Sequence, residues 1–66
     1  MKVKDFSKRM NDHGTHSRIR VFKYTDEDMM LLVYDGRPKN MDGEVGKLNV
    51  NTFTVRGEDF VEIYAQ

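Results

Sequence analysis

The sequence predicts an α+β domain in which a short N-terminal helix packs on a four-stranded antiparallel meander sheet. Three observations lead to this prediction: one segment with apolar residues at helical spacing, four segments with strand-type patterns, and clusters of turn-forming residues between them. The chain has 66 residues, and so short a chain buries only about 60% of its unfolded surface. A second core does not fit, so we predict a single domain over residues 1–66.

The predicted helix covers about residues 2–11. Val3, Phe6 and Met10 recur there at helical spacing between polar residues, which predicts one apolar stripe. Residues 11–14 then supply asparagine and glycine, which tolerate the left-handed conformation that ends helices. A helix of about two and a half turns is too short to persist alone, so we expect it to dock on the sheet.

The first two strands are predicted to form an antiparallel hairpin. Residues 17–24 alternate, with Ile19 and Val21 on the side that faces the helix. An acidic turn at residues 25–28 separates this strand from the unbroken apolar run 29–34. Such a run is typical of a central strand that is covered on both faces.

The second half of the chain is predicted to contain a long loop and two more strands. Residues 35–44 hold turn-forming residue types without periodicity, which predicts a loop of about ten residues. The third strand, at about residues 46–56, changes phase after Val50, and residues 51–52 therefore predict a bulge or a tight turn. Residues 60–65 alternate again and form the last predicted strand.

Composition narrows the classes of function. Eleven lysines and arginines balance eleven aspartates and glutamates, so no overall basic field attracts nucleic acid or membrane, and there is no cysteine for disulfides or thiolate metal sites. The N-terminal residues lack the apolar stretch of a signal peptide, and no run approaches the roughly 20 residues of a membrane span. We expect a cytoplasmic protein without a membrane partner. We also expect a homo-oligomer, because pairing supplements the small core of such a domain.

One short helix covers only one face of the sheet, so the other face is predicted to be open. The side chains predicted to face the helix are Ile19, Val21, Leu31, Val33, Leu48, Val50, Val61 and Ile63. The side chains predicted on the opposite face are Phe22, Tyr24, Leu32, Tyr34, Phe60 and Tyr64, beside Arg18 and Arg20. So much apolar surface is uncommon on a monomer, which indicates that something covers it.

Two interpretations of the open face compete. It forms the dry centre of a sheet-to-sheet dimer, since interfaces favour tyrosine, phenylalanine and arginine. Alternatively, its aromatic rings stack on unpaired bases while its arginines neutralise phosphates. The candidate partner-binding or nucleic-acid-binding residues are Arg18, Arg20, Phe22, Tyr24, Tyr34, Arg56 and Tyr64. Two further candidates for contact with a partner lie in the predicted loop, Arg37 and Lys39.

Evidence for catalysis is weak in the sequence. Asp12, His13 and His16 place one carboxylate and two imidazoles close together, which makes them candidate metal ligands, although ordinary loop residues explain them as well. No phosphate-binding glycine loop and no nucleophile beside a base is present. We therefore predict no catalytic residue and no cofactor, and binding rather than catalysis.

Several short motifs resemble those of small proteins encoded by bacterial phages and prophages. They are VKDF at residues 3–6, RVFKY at 20–24 before the acidic turn, LVYDG at 32–36 and FVEIYA at 60–65, and together they span most of the chain. The resemblance implies a phage accessory protein, a class that includes anti-CRISPR and other anti-defence proteins. Such proteins act stoichiometrically, by occupying a host nuclease or its nucleic acid. The partners expected here, in the host cytoplasm, are therefore a host protein, a nucleoprotein, or single-stranded or duplex DNA. The alternatives are a structural module of a phage complex and a metal-dependent DNA-nicking protein.

Overall fold

The computed structural model describes residues 1–12, 18–57 and 60–66, and of residues 10–12 and 60 only the backbone. The predicted α+β class is confirmed: a short helix accompanies a four-stranded sheet. The elements in chain order are α1 (Val3–Asp12), β1 (Arg18–Tyr24), β2 (Met30–Gly36), a 3₁₀ turn (Pro38–Asn40), α2 (Gly43–Gly46), β3 (Val50–Gly57) and β4 (Phe60–Ala65).

The sheet is mixed, and the predicted antiparallel meander is wrong. The strand order is β2-β1-β4-β3, with two antiparallel hairpins, β1/β2 and β3/β4, joined by a parallel pair, β1/β4. The hairpins were predicted, but β2 and β3, which a meander would make neighbours, lie at opposite edges. This order has a physical reason, since it places the two strands with clean apolar alternation side by side at the centre of the sheet.

The core lies between the centre of the sheet and the two helices. Its four fully buried large side chains are Val3, Ile19, Val21 and Ile63. The rest of the buried apolar set is Val45, Val61 and Ala65. β1 and β4 supply most of this core, because their alternate residues point to the same side when the strands pair in register.

The segment that connects β2 to β3 is folded, so the predicted ten-residue loop is wrong. Asp42 caps the N-terminus of α2: its carboxylate accepts a hydrogen bond from the Glu44 backbone N–H, and the helix buries Val45 against the core. A Cβ added at Gly46 would lie 3.2 Å from Lys4 Cβ, so a larger residue there would require α1 or α2 to shift by a few tenths of an ångström.

β2 is an edge strand, although its unbroken apolar run predicted a central strand with both faces covered. Met29, Met30, Leu31 and Leu32 are between 49% and 61% exposed. Leu31 was predicted to face the helix, but it pairs with the exposed Lys23 near the end of β1 and remains exposed. The unbroken apolar run therefore belongs to an edge strand that has apolar side chains on both sides of the sheet.

Irregularities in the strand register redirect several side chains. The predicted bulge near Asn51 is confirmed by a shift in the β3/β4 pairing between Val50 and Thr52. A second shift, between Val21 and Phe22 in the β1/β2 pairing, sets Tyr34 opposite Val21. Tyr34 therefore lies on the helix-covered side. Among the described helices, none is both long and apolar enough to cross a membrane.

Candidate functional site

The candidate site is the side of the sheet opposite the helices, which we call the open face. Cross-strand pairs define it, because residues directly opposite each other point to the same side. Its members on β1 are Arg18, Arg20, Phe22 and Tyr24, and those on β4 are Glu62 and Tyr64. The edge strands add Met30, Leu32 and Asp35 from β2 and Thr52, Thr54 and Arg56 from β3.

One end of the open face is charged. Asp35 binds two arginines, with its carboxylate 3.1 Å from Arg18 Nη2 and 3.5 Å from Arg20 Nε. Arg56 Nε donates a 2.6 Å hydrogen bond to Glu62 Oε1. Each of these guanidinium groups thus contacts a carboxylate, and the charges alternate across the four strands instead of forming one basic patch.

The Glu62 carboxylate accepts hydrogen bonds from two side chains of the open face, Arg56 and Tyr64. The hydrogen bond from Arg56 lowers the pKa of the Glu62 carboxyl, partial burial opposes this, and the Tyr64 hydroxyl, 3.2 Å from the same oxygen, lowers the pKa further. The bond to Glu62 correspondingly raises the pKa of Arg56. Glu62 was not predicted as a site residue, and its position between the predicted arginines became visible only with the β1/β4 pairing.

An aromatic pair occupies the centre of the open face. The Phe22 and Tyr64 rings are 5.6 Å apart between centroids, with an angle of 17° between their planes, so they stack in an offset arrangement. Parallel pairing of β1 and β4 sets these residues directly opposite each other. Both side chains are half-buried, and each covers part of the other ring.

The other end of the open face is apolar. Leu32 lies opposite Phe22, and Met30 lies opposite Tyr24. Met30 and Leu32 are both 49% exposed and Tyr24 is 37% exposed. Along the strands, the open face therefore changes from alternating charges, through the aromatic pair, to solvent-exposed hydrophobic side chains.

Six of the seven predicted binding residues lie on the open face. Five are on β1 and β4, including the aromatic pair itself, and the sixth, Arg56, is on β3 and bonds Glu62. Tyr34 is the exception, because the bulge turns it to the helix-covered side, where its hydroxyl donates a hydrogen bond to the Arg37 carbonyl. Phe60 belongs to the residues whose side chains are not described. Arg37 and Lys39 are exposed around the 3₁₀ turn, outside the open face.

The candidate metal ligands belong to the end of α1 and to the segment after it. His13 and His16, together with the side chain of Asp12, lie outside the described residues. Within residues 1–12, 18–57 and 60–66, no group of three or more histidine, cysteine, aspartate or glutamate side chains is arranged to hold a metal ion.

A second surface feature was missed by sequence reasoning. Beside α1, a cleft of about 520 Å³ is lined by apolar and polar side chains. Phe6 and Phe53 line it, with ring centroids 4.9 Å apart. The phase change after Val50, which turns Phe53 toward the helix side, is the one sequence signal from which this contact could have been predicted.

Comparison with known proteins gives no relative. No protein-family model, no curated protein and no solved structure matches this chain. The geometry of the described residues is therefore the basis on which a function can be assigned. The open face can bind an extended surface through apolar, aromatic and alternating charged contacts.

Proposed function

We propose that this protein is a stoichiometric binding protein that uses its open face to occupy a partner protein or nucleoprotein. The observation that supports the proposal most strongly is the aromatic pair of Phe22 and Tyr64 at the centre of the sheet side opposite the described helices. Interface centres that contribute most to affinity are enriched in tyrosine and arginine and surrounded by a polar rim. The open face has this composition.

The charges of the open face favour a protein surface over a bare phosphate backbone. Arg18, Arg20 and Arg56 stand beside Asp35 and Glu62, so a single positive charge is in excess. A phosphate backbone would have to compete with these carboxylates for the guanidinium groups. A protein partner with its own mixed charges can instead complement the alternating pattern, which sets the orientation of docking.

The resemblance to phage-encoded proteins suggests where the partner is found. We propose an accessory role in the bacterial host cytoplasm, in which the protein occupies a component of a defence system such as a CRISPR nuclease. A small protein without catalytic machinery can inhibit a nuclease only by binding it in at least equimolar amount. Inhibition should therefore saturate at a fixed ratio of protein to target.

Site-specific photo-crosslinking in host cells tests the use of the open face. A photoreactive amino acid in place of Tyr24 lies on the open face, whereas one in place of Lys47 lies directly after α2, exposed and outside the open face. We expect a discrete crosslinked species from position 24 and none of that mass from position 47. Equal crosslinking at both positions, or crosslinking at position 47 alone, would refute the assignment.

The affinity of the crosslinked protein, once purified, tests individual contacts. Arg56→Ala removes a guanidinium from the open face, and Lys47→Ala is the matched control on the opposite side. Arginine is enriched among interface residues whose truncation costs more than about 1 kcal/mol, so Arg56→Ala should raise the Kd at least about fivefold while Lys47→Ala leaves it unchanged. An unchanged Kd for both variants would contradict the proposal.

Single-stranded nucleic acid is a second candidate ligand, favoured by the combination of the aromatic pair with three arginines. Three guanidinium groups neutralise at most three phosphates, so the slope of log K against log salt concentration should be about −2 for single-stranded DNA. Arg56→Gln should reduce that slope by about 0.7. Binding that is absent at low salt, or a slope unaffected by Arg56→Gln, would eliminate this candidate.

A further inference from the structure

Among the described strands, β2 is the one with the most exposed apolar side chains, and it lies at an edge of the sheet. In the sheet order β2-β1-β4-β3, one side of β2 pairs with β1 and the other side has no neighbour among the described strands. Residues 29–34 contain no charged side chain and no proline. Natural edge strands usually carry such residues to prevent pairing with another chain, so their absence indicates that this edge is used.

The other edge of the sheet differs. β3 carries Asn51, Thr52, Thr54 and Arg56 among its eight residues, and its register shifts twice against β4. Polar residues and bulges are the features that protect an edge from unwanted pairing. β2 has one charged residue, Asp35, and one register shift, but Asp35 is bound by Arg18 and Arg20 of its own chain. β2 is therefore the more apolar of the two edges and the better suited to accept a further strand.

Charges of opposite sign flank β2 at its two ends. The turn before it contains Asp26, Glu27 and Asp28, and the segment after it contains Arg37 and Lys39. All five side chains are exposed, and none forms an ion pair with a residue of the described ranges 1–12, 18–57 and 60–66. These charges are thus available to a partner that lies along β2.

We propose that a second copy of this chain pairs with β2 in antiparallel orientation, across a two-fold axis near the middle of the strand. Antiparallel pairing brings the acidic turn of each copy beside the basic segment of the other, at both ends of the interface. Parallel pairing would instead oppose like charges at both ends. The charge arrangement therefore selects a second copy in one orientation.

One register of the antiparallel pair joins the apolar strand and the charged ends. Counted along the chain, a two-fold axis at Leu32 puts Glu27 and Arg37 of the second copy at equal distance from the axis, so the acidic turn of one copy and the basic segment of the other lie at the same end of the paired strands. The same axis sets Leu32 opposite Leu32, and Leu31 opposite Val33, of the second copy. An axis at Val33 would instead set Leu31 opposite Asp35, so the register centred at Leu32 is the favoured one.

The resulting dimer would have a continuous eight-stranded sheet. Residues opposite each other in an antiparallel pair point to the same side, so both α1 helices lie on one side and both open faces on the other. The open face is left uncovered by this dimer and roughly doubles in extent. The proposal concerns the protein alone and does not depend on the partner proposed for the open face.

Exchange of the flanking charges tests the proposal. The first variant, Arg37→Glu with Lys39→Glu, makes both flanks acidic; the second, Asp26→Lys with Glu27→Lys, makes both basic. Sedimentation equilibrium of each protein gives its dimer Kd. An edge-to-edge interface is of the small class, below about 1,200 Å² in total, so the wild-type Kd should be in the micromolar range.

We expect each variant alone to dimerise about 10- to 100-fold more weakly than wild type, since surface ion pairs at both ends become repulsions. An equimolar mixture should form the heterodimer with near wild-type affinity, because both ends are again complementary. Arg56→Glu, on the open face, should leave dimerisation unchanged. Leu31→Lys places a charge on the edge itself and should abolish dimerisation.

Several results would overturn the proposal. They are a wild-type protein that remains monomeric at high micromolar concentration, charge variants that dimerise as tightly as wild type, and a mixture that gains no affinity over its components. Loss of dimerisation in Arg56→Glu but not in Leu31→Lys would show that the copies meet through their open faces instead. Circular dichroism of every variant confirms that the fold is kept, and all the substituted side chains are exposed.

Discussion

Truncation of Ile63 to alanine should remove much of the stability of this fold. Ile63 is fully buried in β4, between Val21 of β1 and Phe53 of β3. The substitution deletes three carbon atoms, a transfer cost of about 2.4 kcal/mol at about 0.8 kcal/mol per buried methylene. The cavity left behind raises the expected loss to about 3–4 kcal/mol.

This loss is large for so small a domain. At about 0.05–0.15 kcal/mol per residue, the whole free energy of unfolding is about 3–10 kcal/mol. A loss of 3 kcal/mol should lower Tm by about 12–24 °C. Urea unfolding and thermal unfolding, followed by circular dichroism at one fixed protein concentration, measure the two quantities and keep any effect of self-association constant.

Val55→Ala is the matched control. Val55 lies on the same side of the sheet but at its β3 edge, where it is 63% exposed. Its truncation should cost less than about 1 kcal/mol, the range of strand propensity at exposed positions. Equal losses for the two variants, or a loss below about 1 kcal/mol for Ile63→Ala, would refute the assignment of β4 to the centre of the sheet.

Three further predictions concern single contacts. The hydrogen bond from Arg56 lowers the pKa of Glu62 in the folded protein, so the bond stabilises the fold above the ordinary carboxyl pKa of 4.5, and this stabilisation is lost as the pH falls through the lower folded pKa. When the urea midpoint of unfolding is measured against pH, it should fall in this acid range for wild type and fall less for Arg56→Gln. Identical pH dependence in the two proteins would contradict the prediction. A Cβ at Gly36 would lie 2.9 Å from the Tyr34 hydroxyl oxygen and 3.3 Å from Tyr34 Cζ, so Gly36→Ala should cost about 1 kcal/mol or more in wild type. Tyr34→Phe removes only the closer contact and should lower that cost without abolishing it; additive costs in urea unfolding would show that the hydroxyl does not hinder a side chain at position 36. The buried Ser7 hydroxyl donates a hydrogen bond to the Val3 carbonyl oxygen within α1, so Ser7→Ala should change the free energy of unfolding by less than about 0.5 kcal/mol. A loss above about 1.5 kcal/mol in urea unfolding would show a further role for the hydroxyl.

Local patterns in the sequence predicted the elements but not their order in the sheet. Alternation at Ile19 and Val21, and again at Val61 and Ile63, predicted two strands and the sides their residues face, and the structure has both. The pairing of β1 with β4 joins segments that lie about forty residues apart. Non-local pairing depends on which strands share the core, and local periodicity contains no information about it.

The candidate site was predicted in composition and misplaced in detail. The arginines of β1 and the aromatic residues Phe22 and Tyr64 were predicted to share a face, and they do. Tyr34 was assigned to the wrong side, because one irregularity in register moves a side chain to the opposite face without any mark in the sequence. Glu62 was missed because an isolated glutamate in a strand resembles ordinary solvent-exposed sequence until its arginine partners are placed.

The contact between the Phe22 and Tyr64 rings is the most direct test of the parallel pairing of β1 with β4. Both the composition of the open face and the edge position of β2 follow from that pairing. A two-dimensional NOE spectrum of the isotope-labelled protein reports ring protons that are in contact. Parallel pairing predicts strong cross-peaks between these two rings, whose centroids are 5.6 Å apart. In a meander they would be separated by three strand spacings, about 14 Å, and cross-peaks from Tyr64 to β3 alone, with none to Phe22, would contradict the account.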